Sequence, residues 1–203
     1  MDVLFAFVGD KFAVVVTDTT SVQQIIIQKD DMEKTMDLDS HKLMALSGPK
    51  GDCTYFSEYI QANMKLYELK NGCKLSTHAA ASFTRTNLAE SLRKGPYQVN
   101  ILLAGYDADV DECSLYFMDY MASMQKVNSG GHGYGGMFCL SLFDKHWKPK
   151  MTRVEASDLV DKCIAEVRER LVTAPAKYHV KIVDKDGTSC TTYDCEARMK
   201  AGL

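Results

Sequence analysis

Three stretches of this chain are apolar at every consecutive position: residues 3–8 (VLFAFV), 12–16 (FAVVV) and 101–104 (ILLA). Their β-branched and aromatic content suits strands, and they are far too short to cross a membrane as helices. A strand with one face in water alternates apolar and polar residues; a strand apolar throughout is covered on both faces. The chain must therefore stack several layers. Two sheets packed on each other, each with a helix pair over its outer face, meet that requirement. The expected architecture is an α+β fold arranged as a four-layer αββα sandwich.

The remaining elements fit this plan. Residues 3–8 and 12–17 form a hairpin around Gly9-Asp10-Lys11, and 25–28 and 43–47 are two further short strands. Over 52–71, Phe56, Ile60, Met64 and Tyr67 recur at helical spacing, and Gly72 is placed as a C-terminal stop. A second helix starts near Ser76 as N-cap, carries Phe83, Leu88 and Leu92, and ends at Gly95-Pro96. Strands return at 99–106 and 114–119, with an acidic turn over 107–112. A glycine-rich stretch, 129–136, leads into a third, helical segment. Thr152-Arg153-Val154-Glu155 reads as a capping box opening a helix whose stripe is Val160, Cys163, Ile164, Val167 and Leu171. A hairpin over 178–184 and 188–193 turns at Lys185-Asp186-Gly187. The order is thus four strands, two helices, two strands, two helices, two strands. Segregated strands and helices argue against alternating βαβ units.

The 203 residues are expected to form one domain, 1–203, with a short C-terminal tail from about 194. Lys and Arg number 24 against 27 Asp and Glu, so a basic nucleic-acid binder is not expected. No apolar run is long enough to span a membrane, so no membrane partner is expected. The first residues, MDVLFAFVGD, lack the basic start and cleavage site of a secretory signal. Seven cysteines without a CxxC are expected to be reduced, with Cys139 and Cys163 as small buried apolar residues. The five histidines never pair at metal-ligand spacing with Cys or another His, so no metal site is expected, and no cofactor is expected either. Residues 131–136 (GHGYGG) formally satisfy GxGxxG, but the next long element is the helix from Thr152 and not a strand. Close backbone packing is the expected use of these glycines.

An αββα sandwich opening on a hairpin is the architecture of the N-terminal-nucleophile hydrolases. Within that group the chain resembles the proteasome beta subunits over residues 2–193. The resemblance is carried by the opening hairpin ending in Thr17-Asp18, by Lys34 followed by LMALSGPKGD (43–52), by the helix YFSEYIQANMKLYELKNG (55–72), by LLAGYD (102–107) with LYFMDY (115–120), and by HGYGG (132–136). The last four together resemble one subunit type of the eukaryotic core particle, that of the non-catalytic beta-4 position.

Active members of that family need an N-terminal Thr, Ser or Cys, a nearby Lys that lowers local pKa values, an Asp that fixes the Lys, and an amide donor for the oxyanion. They also carry a Ser-Gly turn and a late Asp and Ser that orient the N-terminal amine. By resemblance, Asp18, Lys34 and Gly48 match the Asp, the Lys and the oxyanion glycine, and Ser129 with Gly130 matches the Ser-Gly turn. The nucleophile position falls on Asp2, and the late pair falls near Leu171 and Ala174. With no nucleophile, Asp18 and Lys34 are expected to be a retained ion pair and not a working catalytic one.

The resemblance therefore implies a structural subunit with no catalytic residue. Its expected partners are the other beta subunits of a seven-membered ring, the opposite beta ring and the alpha ring, in cytoplasm and nucleus. The alternative is an active threonine peptidase with unusual processing. With Met1 one residue ahead of Asp2, no propeptide is expected.

Overall fold

A computed structural model describes residues 2–23 and 26–200. Ile25, the first residue of the expected strand 25–28, and the last three residues of the expected tail lie outside the described residues.

Six strands come first: β1 (Leu4–Val8), β2 (Ala13–Asp18), β3 (Ser21–Gln23), β4 (Ile26–Lys29), β5 (Thr35–Asp39) and β6 (Lys42–Ser47). Two helices follow, α1 (Lys50–Asn71) and α2 (Thr77–Ser91). Then come β7 (Asn100–Asp107), β8 (Glu112–Met118), β9 (Met124–Val127) and β10 (Ser129–His132). The chain continues through α3 (Gly133–His146) and α4 (Arg153–Arg170), closes with the hairpin β11 (Lys177–Asp184) and β12 (Gly187–Asp194), and ends in the short α5 (Cys195–Lys200). One antiparallel sheet has the order β10-β1-β2-β11-β12 and the other β5-β6-β7-β8-β9, with β3-β4 as a separate pair.

The consecutive apolar runs are explained by two interleaved alternations. Along β1 and β2, Leu4, Ala6, Ala13 and Val15 point inward against Leu43, Ala45, Leu102, Ala104 and Leu115 of the second sheet. Their neighbours Val3, Phe5, Phe7, Val14 and Val16 point outward against Cys139 and Phe143 of α3 and Leu159, Cys163 and Ile164 of α4. On the other side Met44, Leu46, Ile101 and Leu103 pack outward against Phe56, Ile60 and Met64 of α1 and Ala80 and Leu88 of α2. Successive Cβ atoms leave opposite faces of a strand, so every second residue serves a different layer. The layer between the sheets is built largely of Ala, Val and Leu. The outer layers take the Phe and Met side chains.

Helix ends follow local chemistry. Gly72 adopts φ 69° and donates its N–H to the Glu68 carbonyl at 2.8 Å, closing α1. The Ser76 hydroxyl accepts the Ala79 N–H at 3.2 Å, opening α2. Thr152 and Glu155 form a reciprocal capping box. Three expectations need correction. Helix α2 stops at Ser91, short of Gly95-Pro96. The four strands β3, β5, β9 and β10 were not anticipated. The expected tail contains α5, whose first residue, Cys195, is buried against the outer cluster of the first sheet.

Candidate functional site

The N-terminal end of β1 and the C-terminal end of β2 are tied at Asp18. The Asp18 N–H donates to the Val3 carbonyl at 3.0 Å, and the Val3 N–H donates to Asp18 Oδ1 at 2.9 Å. The other carboxylate oxygen, Oδ2, accepts the Thr20 N–H at 3.2 Å and the Thr20 hydroxyl at 2.6 Å. Asp18 is 0% exposed, so these bonds and its cation replace water entirely.

That cation is Lys34, one residue before β5. Its carbonyl accepts the Leu46 N–H at 2.9 Å, which anchors the backbone to the second sheet and leaves the side chain to cross toward the first. Lys34 Nζ lies 2.7 Å from Asp18 Oδ1 and 2.7 Å from Asp2 Oδ1. Asp2 Oδ2 accepts the Ser47 hydroxyl at 2.9 Å. Burial acts to raise the Asp2 pKa, but the charge and hydrogen bond of Lys34, with the Ser47 hydroxyl, outweigh it and hold the carboxyl below its ordinary value. Asp2 is an anion at neutral pH, locked between a cation and a hydroxyl.

A cleft of about 520 Å³ opens beside this triad, lined by Asp2, Lys34, Gly48, Lys50 and Cys53 among others. At Gly48, φ is 152° and an added Cβ would stand 2.1 Å from the Gln98 carbonyl oxygen, so only glycine fits. The Cys53 thiol is pushed up to about 12, by burial first and then by the charges of Asp2 and Asp52. It stays protonated and is no substitute nucleophile.

The structure thus brings Asp2, Asp18, Lys34 and Gly48 to one place. It does not bring Ser129 and Gly130 there. In the antiparallel β1–β10 register these sit opposite Phe7 and Ala6, roughly 14–17 Å along the strand from Asp2 at about 3.4 Å per residue. The end of β10 that reaches Asp2 is marked instead by Gly133, with φ 73° and an added Cβ 2.1 Å from the Asp2 carbonyl oxygen. Leu171 caps the C-terminus of α4 and packs against the outer cluster, and Ala174 lies in the irregular segment between α4 and β11, just after the turn at Val172 and Thr173. Neither has a side-chain polar group. Ser47, a partner of Asp2, was not anticipated, although its place directly before Gly48 was the available signal.

The glycines of 131–136 join β10 to α3, so a strand does precede them and a helix does follow. Helix α3 then runs into α4 and not into a parallel strand, and no βαβ unit forms. Cβ atoms added at Gly131 and Gly135 would lie 2.7 Å from Gly136 Cα and 2.5 Å from a Val3 methyl carbon. These glycines let α3 lie directly on β1. Among the described residues no His, Cys, Asp and Glu group has the arrangement of a metal site, and no helix is long and apolar enough to cross a membrane.

Comparison with known proteins gives one consistent result. The family described as "Proteasome subunit" matches residues 3–183. The chain is similar to "Proteasome subunit beta type-2" of Oryza sativa subsp. japonica, with 54% identity over 187 residues covering 92% of this chain and 88% of that one. It is 40% identical over 189 residues to "Proteasome subunit beta type-2" of Dictyostelium discoideum, covering 92% and 95% of the two chains. It is 38% identical over 188 residues to "Proteasome subunit beta type-4" of Saccharomyces cerevisiae, covering 92% and 95%.

Proposed function

The chain belongs to the proteasome beta-subunit family, and from that premise we propose that it is a non-catalytic member of the beta ring at the beta-4 (beta type-2) position. The reading rests on one observation: the carboxylate of Asp2 lies between Lys34 Nζ and Ser47 Oγ, where the family's chemistry requires a free hydroxyl or thiol beside the lysine. A carboxylate held ionised is a weak nucleophile and a weak base. The Asp2 nitrogen is in peptide linkage to Met1 and is no free amine. No Ser, Thr or Cys occurs between Asp2 and Thr17, and cutting at Thr17 would remove β1 and most of β2, which contribute to the inter-sheet and outer layers alike.

What the subunit supplies is surface and shape. Both outer helix layers leave large apolar side chains in water: Tyr55, Leu66 and Leu69 on α1, and Tyr134, Met137 and Leu140 on α3. A chain covered on both sides by other subunits has this pattern. In the proposed assembly, α1 and α2 face the alpha ring and α3 and α4 face the opposite beta ring. The chain thereby helps close a chamber for ubiquitin-dependent protein degradation in cytoplasm and nucleus.

The test is to isolate native particles through a tag on this chain, list their subunits and weigh its mature N-terminus by mass spectrometry. The expected result is a large particle whose copy of this chain retains Asp2, with all peptidase activities unchanged in the Asp2→Ala variant. A mature chain beginning with Thr or Ser establishes the alternative, an active peptidase. A native monomer overturns the ring placement.

A further inference from the structure

The α1–α2 layer carries an aromatic recess with a defined chemistry. Where residues 92–98 fold back over the start of α1, Tyr55, Tyr59 and Tyr97 border a cavity of about 320 Å³ that also includes Glu90 and Lys94. The Tyr55 and Tyr97 rings stack, with centroids 6.0 Å apart and planes 22° apart, and Phe56 backs Tyr97 at 5.2 Å. Tyr55 is 62% exposed and Tyr59 44% exposed, so the rings are held in order while still facing water. The Glu90 side chain has no ion pair or hydrogen bond among the described residues, and Lys94, the cation in the lining, does not pair with it.

We propose that this recess receives a cationic side chain, the guanidinium of an arginine or the ammonium of a lysine, from the protein seated on the α1–α2 layer. The proposal rests on the ring reading above, which places another subunit there. Aromatic faces carry negative potential and draw a cation to within about 6 Å of the ring centroid. The unpaired Glu90 adds a carboxylate to the same lining and gives the cation a hydrogen-bonding partner. An apolar occupant would strip water from Glu90 and leave its carboxylate unpaired. Lys94 puts one positive charge in the same lining, so the preference for a cation comes from the tyrosine faces together with the unpaired carboxylate. Arginine is the better fit, because its plane can lie along a tyrosine ring while its edge meets the carboxylate.

The test uses the full chain in its assembled particle. A structure resolving side chains should show a guanidinium or ammonium within about 6 Å of the Tyr55 or Tyr97 ring and hydrogen-bonded to Glu90, and its density tells arginine from lysine. An apolar or acidic side chain there, or open solvent, overturns the proposal. In competition with wild type, Tyr55→Leu and Glu90→Gln should each enter particles about tenfold less well. Both alter exposed side chains, and the circular dichroism of the free variants should match wild type. Equal incorporation of both variants overturns the occupant alone. A wild-type chain that enters no particle overturns the ring reading, and the occupant with it.

Discussion

Replacing Lys34 by Ala tests the account of the triad most directly. Lys34 is the shared cation of two carboxylates, at 2.7 Å from each, and one of them, Asp18, is 0% exposed. Removing one partner of a buried pair leaves the other charge stranded and costs about 3–5 kcal/mol. For a chain of this size each kcal/mol moves Tm by about 2–4 °C, so the melt should fall by roughly 6–20 °C at pH 7. Circular dichroism of the full chain measures it. A second arm uses pH. In the wild type the Asp2 pKa is lowered from 3.8, so its contribution is fully present above that value and is lost as pH falls through the lower folded value. In the variant the lowering influence of Lys34 is gone while burial, which raises the pKa, remains. Protonation of Asp2 then relieves the variant as pH falls, and the gap between the two proteins narrows between about pH 7 and 4. Lys11→Ala, which breaks an exposed pair with Asp111, should leave the melt unchanged. A Lys34→Ala melt within about 2 °C of wild type, or a gap that widens toward low pH, would refute the reasoning.

Two further expectations concern backbone and core. Gly133→Ala forces a Cβ to 2.1 Å from the Asp2 carbonyl at φ 73°, and should destabilise by about 2 kcal/mol or more. Gly51→Ala, in the first turn of α1 with nothing within 4 Å, should instead stabilise by about 0.5–1 kcal/mol. Urea midpoints at constant slope compare the two, and equal midpoints would sink the close-approach argument. Ala104→Leu overfills the layer between the sheets and should cost about 1–3 kcal/mol; an unchanged urea midpoint would mean that this layer has room to spare.

The sandwich was legible because two-sided burial leaves a direct trace: a run such as FAVVV has no other economical explanation. Helices α1 and α4 were legible from period and caps. The missed strands lack both signals. β9 (MQKV) has an exposed centre, and β10 (SGGH) has almost no intrinsic strand preference. It is a strand because β1 offers it a hydrogen-bonding edge and α3 needs its glycines for close approach. At the site, Asp18, Lys34 and Gly48 were legible through the resemblance to the family's motifs, and the structure then sets each at or beside a strand end. Ser129 and Gly130 were misplaced because their distance from Asp2 depends on the β1–β10 register, which residue order alone does not reveal. Ser47 was overlooked because a serine at a strand end declares no partner until the opposite layer is present.

The two sheets differ in how their strands are drawn from the chain. The sheet β5-β6-β7-β8-β9 is contiguous in sequence, each strand pairing with the next. The other is assembled from both ends: β1 and β2 are made first, but their outer partners β10 and β11 follow only after the whole second sheet. During synthesis the opening hairpin emerges with two apolar faces and two open edges, and waits more than a hundred residues for either neighbour. The contiguous sheet with α1 and α2 is the part that can form early, and it offers the hairpin its first cover through the Ala- and Leu-lined inner face. Strand order alone thus makes the first sheet the one that cannot close until the chain is nearly complete, and leaves the opening hairpin as the exposed segment that needs cover in the meantime.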